Sequence, residues 1–233
     1  MKTNTASKSV NIVLIVALVL VLIGDLIASG VQTNGWTVKI KDVRFMGTGG
    51  IEMSGLLCIP PGVITKDATG ATKVNPAPGI LAIHGYINSR ETQDGFAIEF
   101  AQRGYVVLAL DQTGPGYSDP PAFANGFSGP DGLKYLSSLD IVDPKNIGLS
   151  GHLMGGWASV VAAQVYPDAY KSIVLEGSST GTFGGKTGDA TFPRNLGLIY
   201  SKFDGSLLGC SLPLHNRLQP KQRFLETNMM LYR

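Results

Sequence analysis

The chain has 233 residues, 44% hydrophobic and 15% charged, with 30 glycines and 13 prolines. That length supports one sizeable core with small appendages rather than two domains, and the composition suits a turn-rich folded domain joined to an apolar segment, not a disordered chain. A net charge of +2, with nineteen scattered Lys and Arg, shows no clustered phosphate-binding footprint and gives no reason to expect a nucleic-acid partner; Cys58 and Cys210 are too few and too far apart for a metal cluster or a disulfide framework and read as buried thiols.

After Lys2 and Lys8, residues 12–23 are almost purely aliphatic, and the apolar character continues past Gly24 and Asp25 through Leu26, Ile27 and Ala28. Residues 10–29 reach the roughly 20 residues that span a bilayer, with Asn11 and Asp25 near the ends where headgroups and water can solvate them. That predicts a transmembrane signal anchor preceded by a cytoplasmic segment, residues 1–9. The rival reading is a cleavable signal peptide, because Ala28-Ser29-Gly30 offers the small residues of a cleavage site. Either way the basic end stays in the cytoplasm. The body is then extracytoplasmic, single-pass on the membrane if anchored and secreted if cleaved.

Residues 36–45 alternate, with Val38, Ile40 and Val43 set among Lys39, Lys41 and Arg44, and a glycine-rich turn follows at 47–50. These read as a strand and a hairpin turn, with a second strand at 51–59 stopped by Pro60-Pro61-Gly62. The polar stretch through Pro78 reads as loop. Residues 79–83 form a short apolar strand ending in His84-Gly85-Tyr86, and 90–103 have helical spacing up to Gly104. Residues 105–110 are a continuous apolar run of the kind buried on both faces of a parallel sheet. Helix at 132–139, strand at 146–149, helix at 154–166 and strand at 171–175 complete an alternating rhythm. The fold class is therefore α/β: a mainly parallel sheet with helices on both faces, begun by two antiparallel strands. Residues 176–205 show no firm periodicity. The folded body is bounded at 36–205, and 206–233 form a tail that cannot hold two more strands with a helix between them, so the strand at 171–175 is expected to lie exposed at the edge of the sheet.

The segment Asn146-Ile147-Gly148-Leu149-Ser150-Gly151-His152-Leu153-Met154-Gly155-Gly156 carries the most chemistry. A strand enters, glycines flank one position, and a small-residue helix leaves. This is the context of the nucleophile elbow Gly-x-Ser-x-Gly, with Gly151 and Gly155 as the elbow glycines and Leu153 where the serine belongs. Ser150 is no substitute, since its register lacks the second glycine and leaves it inside the strand; Ser159 lies more than a turn along the helix.

His84-Gly85-Tyr86, Asp111-Gln112-Thr113-Gly114-Pro115-Gly116-Tyr117-Ser118 and Gly151-His152-Leu153-Met154-Gly155-Gly156 together resemble the α/β-hydrolase superfamily, in its serine-esterase and dienelactone-hydrolase-like branch. The resemblance covers roughly residues 40–180, and it implies that the last strands of the family's sheet are missing from this chain. It implies ester or acyl hydrolysis by a Ser-His-acid triad, with the backbone N–H groups of Tyr86 and Met154 forming the oxyanion hole. Two positions depart from the pattern: Pro115 stands where histidine is common, and Leu153 where serine is required. The downstream candidates for acid and base are Asp189, Asp204, Glu226 and His215, but no strand-helix-strand separates Asp204 from His215, so both partners are expected to be absent. His84 and His152 read as structural histidines near strand ends, Asp111 as the brace of its turn, Trp157 and the alanines after it as helix-sheet packing, and Arg90, Glu91 and Lys145 as solvated surface. The expectation is a membrane-anchored protein of hydrolase ancestry that has lost activity, or an incomplete gene product of such a hydrolase. The alternatives are a non-catalytic binder or scaffold for a small ester or acyl ligand, and a weak residual hydrolase using the oxyanion hole and a positioned water. No metal or organic cofactor is expected; the partners are the lipid bilayer and a possible small ligand.

Overall fold

The computed structural model describes residues 4–178 and the backbone of 196–199. Helix α1 (Asn4–Gln32) is the apolar segment, exposed from Val10 to Ala28. The most apolar 18-residue stretch within residues 9–32 has a mean hydropathy of 2.9 and none of it is buried, so the helix is long and apolar enough to cross a membrane or to act as a signal sequence.

Strand β1 (Lys39–Met46) pairs antiparallel with β2 (Glu52–Ile59), from Lys39 opposite Ile59 to Met46 opposite Glu52. The turn between them needs two left-handed residues, supplied by Gly49 and Gly50. The stretch read as loop contains a two-stranded hairpin, β3 (Ile64–Lys66) and β4 (Thr72–Val74). Its turn is closed by Asp67, whose carboxylate accepts the N–H groups of Thr69 and Ala71; the small polar residues there hid the strands.

The main sheet continues with β5 (Ala77–Ile83), β6 (Val106–Leu110), β7 (Val142–His152), β8 (Ser172–Glu176) and β9 (Leu196–Ile199), in the order β1-β2-β6-β5-β7-β8-β9. β2 runs antiparallel to β6, and every later pairing is parallel. Strand β7 begins earlier than the apolar run at 146–149 suggested, because Asp143, Pro144 and Lys145 interrupt the hydrophobic pattern while the backbone still pairs. The register against β5 shifts between Pro78 and Gly79. Strand β9 corrects the sequence expectation: the strand at 171–175 is not left as an edge, since β8 pairs along β9 from Ile173–Leu196 to Glu176–Ile199. A four-residue strand among Gly, Thr and Ser is too short to give a period.

Helix α2 (Asp94–Gln102), entered through a 3₁₀ turn at Arg90–Gln93, covers one face of the sheet; its Ala97 and Ala101 pack on Ile80, Ala82, Val107 and Ala109. The short turn α3 (Ala124–Phe127), left-handed at Asn125 and Gly126, leads into α4 (Gly129–Ser137), and α4 and α5 (Met154–Val165) cover the opposite face. There Leu133, Leu136, Ala158, Ala162 and Ala163 close on Leu81, Ile83, Leu108, Leu110, Ile147, Leu149, Ile173 and Leu175. Alternation along each strand sends one set of side chains to each face, so the parallel strands are apolar throughout.

Candidate functional site at the strand C-termini

The elbow joins β7 to α5 at a single residue. Leu153 has φ 50° and ψ −116°, outside the basins that L residues ordinarily occupy. It is held there from both sides: its N–H donates to the Glu176 carbonyl at 3.0 Å, and its own carbonyl accepts the Gly156 N–H at 3.0 Å. The flanking glycines are required by space. A Cβ on Gly151 would collide with the Gly155 carbonyl, and one on Gly155 with the carbonyl of Ile83 in β5. A Cβ on Gly156 would strike Ser178. The spacing that marked Gly151 and Gly155 in the sequence is thus a packing constraint between β7, α5 and β5.

The segment after β5 closes on the same point. A Cβ on Gly85 would sit 3.2 Å from the Leu153 Cβ and 3.3 Å from His152 Nδ1, so residues 84–86 and 152–154 are adjacent. Met154, as the first residue of α5, has an N–H that the helix cannot satisfy. Tyr86, Ile87 and Leu153 are 53%, 74% and 44% exposed, which puts an apolar rim beside the elbow. The Tyr86 ring stacks on Phe123 at 5.5 Å, and Phe127 lies edge-on to Trp157 at 6.2 Å. Trp157 therefore packs across to the α3 turn, whereas the alanines after it pack in the core.

His84 is fully buried. Its Nδ1 lies 2.7 Å from the Gly85 carbonyl and its Nε2 accepts the Gln112 N–H at 3.1 Å, which assigns the proton to Nδ1. Burial holds its pKa below the usual imidazole value. A neutral ring tying the end of β5 to the end of β6 is a structural histidine. Asp111, also fully buried, accepts the Arg90 N–H at 2.8 Å and braces the turn in which Gly116 has no room for a Cβ. Burial pushes the Asp111 carboxyl above its ordinary pKa.

Arg90 departs from its reading as solvated surface: it is 5% exposed. Its guanidinium donates to Asp42 Oδ2 at 2.7 Å, Ser54 Oγ at 2.7 Å and the Gly55 carbonyl at 3.1 Å, lies 3.6 Å from Asp111 Oδ2 and sits 4.6 Å over the Tyr117 ring. The sequence places it beside exposed Glu91, which disguised a residue that ties β1, β2 and the turn after β6 together. Glu91 and Lys145 are exposed as expected.

Ser150 lies within β7, 6% exposed, and donates to Glu176 Oε1 at 2.9 Å; Ser159 is buried and donates to the Gly155 carbonyl at 2.9 Å. Neither occupies the elbow. Glu176 was not singled out by the sequence; it ends β8 directly opposite His152 in the register. Cys58 is buried, and burial pushes its thiol up to about 12. Asp189, Asp204, Glu226, His215 and Cys210 lie outside the described residues.

A mixed sheet in this strand order, with a strained strand-turn-helix elbow at the C-terminal rim of its parallel strands, defines an α/β-hydrolase scaffold. The sequence agrees: residues 78–206, more than half of the chain, match the family described as alpha/beta hydrolase fold, and the chain belongs to that family. No curated protein matches. Among solved structures, a hypothetical protein, PA2218, from Pseudomonas aeruginosa is similar at 23% identity and a TM-score of 0.52, over 61% of this chain and 43% of its own. This chain thus spans less than half of that relative's length. A dienelactone-hydrolase-like promiscuous phosphotriesterase, P91, from metagenomic libraries is similar at 17% identity and a TM-score of 0.56, over 78% of this chain and 77% of its own. A protein named m3DLH gives 15% identity and a TM-score of 0.58, over 81% of each chain. At these identities the likeness is one of fold.

Proposed function

We propose that this chain is a membrane-anchored member of the α/β hydrolase fold, of ester or acyl hydrolase ancestry, in which Leu153 fills the nucleophile's place and covalent turnover is lost. The observation that carries the reading is the backbone of Leu153, which keeps the elbow conformation while its side chain has no atom able to attack a carbonyl. The N–H groups of Tyr86 and Met154 are the donors that would face an anionic oxygen, and being backbone groups they do not depend on the side chain at 153. Helix α1 supports the anchor, with Lys2 and Lys8 on the cytoplasmic side and the body outside. The full chain in detergent should show no labelling by a fluorophosphonate probe and no burst of nitrophenol from a short-chain nitrophenyl ester. Stoichiometric labelling of any serine would overturn the reading.

A second reading, a binder of a small ester or acyl ligand without turnover, is favoured by the exposed apolar rim of Tyr86, Ile87 and Leu153. It requires saturable uptake of a short-chain nitrophenyl ester recovered chemically intact in equilibrium dialysis.

A further inference from the structure

The junction between α1 and the body fixes which end of the sheet meets the membrane. Among the described residues, α1 meets the body near its last turn: residues 10–28 are exposed, Ser29 and Gly30 are half-buried, and Thr33, which follows the helix, is buried. The six residues that follow α1 are folded against it rather than extended as a linker. Thr33 Oγ1 donates to the Ser29 carbonyl at 2.6 Å and accepts the Trp36 N–H at 3.0 Å, and the Gly35 N–H donates to the Gly30 carbonyl at 2.7 Å. Asn34, Gly35 and Trp36 are all left-handed, which turns the chain sharply, and a Cβ on Gly30 would meet the Trp36 indole at 3.1 Å. Val38, 3% exposed, then enters the α2-side core. From the far side, Gln102 Nε2 at the end of α2 donates to the Gln32 carbonyl at 2.9 Å.

Both attachment points lie at the same end of the sheet. Gln102 ends the helix that feeds the N-terminus of β6, and Lys39 begins β1, which runs in the direction of β6 because each is antiparallel to β2. The elbow, the Tyr86 segment and Asp111 stand at the opposite, C-terminal end. Along β5, whose seven residues rise about 3.3 Å each, the two ends are about 20 Å apart.

The apolar stretch of α1 ends where the body begins, so no tether separates the domain from the headgroups. We propose that the chain stands on its membrane on the N-terminal rim of the parallel strands, around Trp36, Lys39, Arg103 and Tyr105, with the elbow at the far end opening into water. The partner of that rim is the headgroup layer of the bilayer that α1 spans. Trp36, 63% exposed at the end of an apolar helix, is the aromatic residue that such an interface favours. The ligand of the elbow site is accordingly drawn from the aqueous phase and not from the acyl chains beneath. This rests on α1 being retained as an anchor.

The test uses the full chain reconstituted in phosphatidylcholine–phosphatidylglycerol vesicles, with Cys210→Ser and one environment-sensitive label at Lys39→Cys or Ile87→Cys. Cys58, buried with its thiol pushed up to about 12, stays unlabelled. Headgroup-level spin-labelled lipid should quench most of the emission at 39 and almost none at 87; Arg103→Cys and Asn88→Cys form an independent pair expected to behave alike. Quenching at 87 equal to that at 39 would place the elbow rim in the headgroups and overturn the proposal, and absence of quenching at both would overturn it by showing a detached body. Release of the chain by carbonate washing, scored before any quenching, would instead remove the anchor itself.

Discussion

At position 153, backbone strain and side-chain burial pull in different directions, and their sizes decide the outcome. A non-glycine residue at φ 50°, ψ −116° costs on the order of 1–3 kcal/mol. Leu153, 44% exposed, recovers little of that by burial. Leu153→Gly should therefore raise stability by about 1 kcal/mol even after the added chain entropy of glycine is subtracted, read as a higher urea midpoint at unchanged slope. Arg90 is the reverse case. Replacing it by Leu strands the Asp111 carboxylate in the interior, where losing one partner of a buried pair costs about 3–5 kcal/mol. Arg90→Lys should recover only part of the loss, because one ammonium cannot reach Asp42, Ser54 and the Gly55 carbonyl together. The imidazole of His84 sets a pH dependence. Its folded pKa is depressed by burial below the ordinary 6.5, so the folded state binds its proton less readily than the unfolded chain. The stability it contributes is complete above pH 6.5 and declines as the pH falls toward its folded pKa. The urea midpoint of the native chain should drop between pH 7 and pH 5.5, while His84→Gln, which has no proton to gain there, should lose that part of the slope.

Among the elements, the elbow is the one whose geometry the sequence spelled out most fully. Glycines spaced by three residues after an apolar strand read directly as a turn with no room for Cβ atoms, and the backbone carbonyls of Ile83 and Gly155 occupy that room. Gly155→Ala should accordingly cost more than Leu153→Gly gains, on the order of several kcal/mol, since a carbonyl in a central strand cannot yield as a flexible side chain could. Loss of a cooperative urea transition, or a midpoint lowered by far more than that of an exposed Gly95→Ala control, would be the signature. Other elements were less legible for identifiable reasons. In the hairpin of β3 and β4, β4 is exposed throughout and β3 is half-buried only at the adjacent Ile64 and Thr65, so no hydrophobic alternation betrays it. Strand β9 offers four residues and a glycine. Arg90 carries no local signal, because its partners Asp42, Ser54 and Asp111 are brought to it by the sheet, dozens of residues away in all but one case. The covering of β8 by β9 also withdraws the exposed strand edge that would have templated aggregation at residues 171–175.

At the level of the whole molecule, the chain joins an apolar helix to one end of a sheet that carries the elbow at the other, and one of its two tryptophans lies near each end. Trp36 lies at the junction with α1, and Trp157 lies in the first turn of α5, beside the elbow. They are the chain's complete set of indoles, so its intrinsic emission is a two-channel optical signal with one channel at each end of the strands. Transfer from detergent into bilayers rich in brominated lipid should dim the Trp36 component selectively. An ester or acyl ligand entering above the strand ends should change the Trp157 component, and Trp36→Phe and Trp157→Phe would assign each response without any attached label.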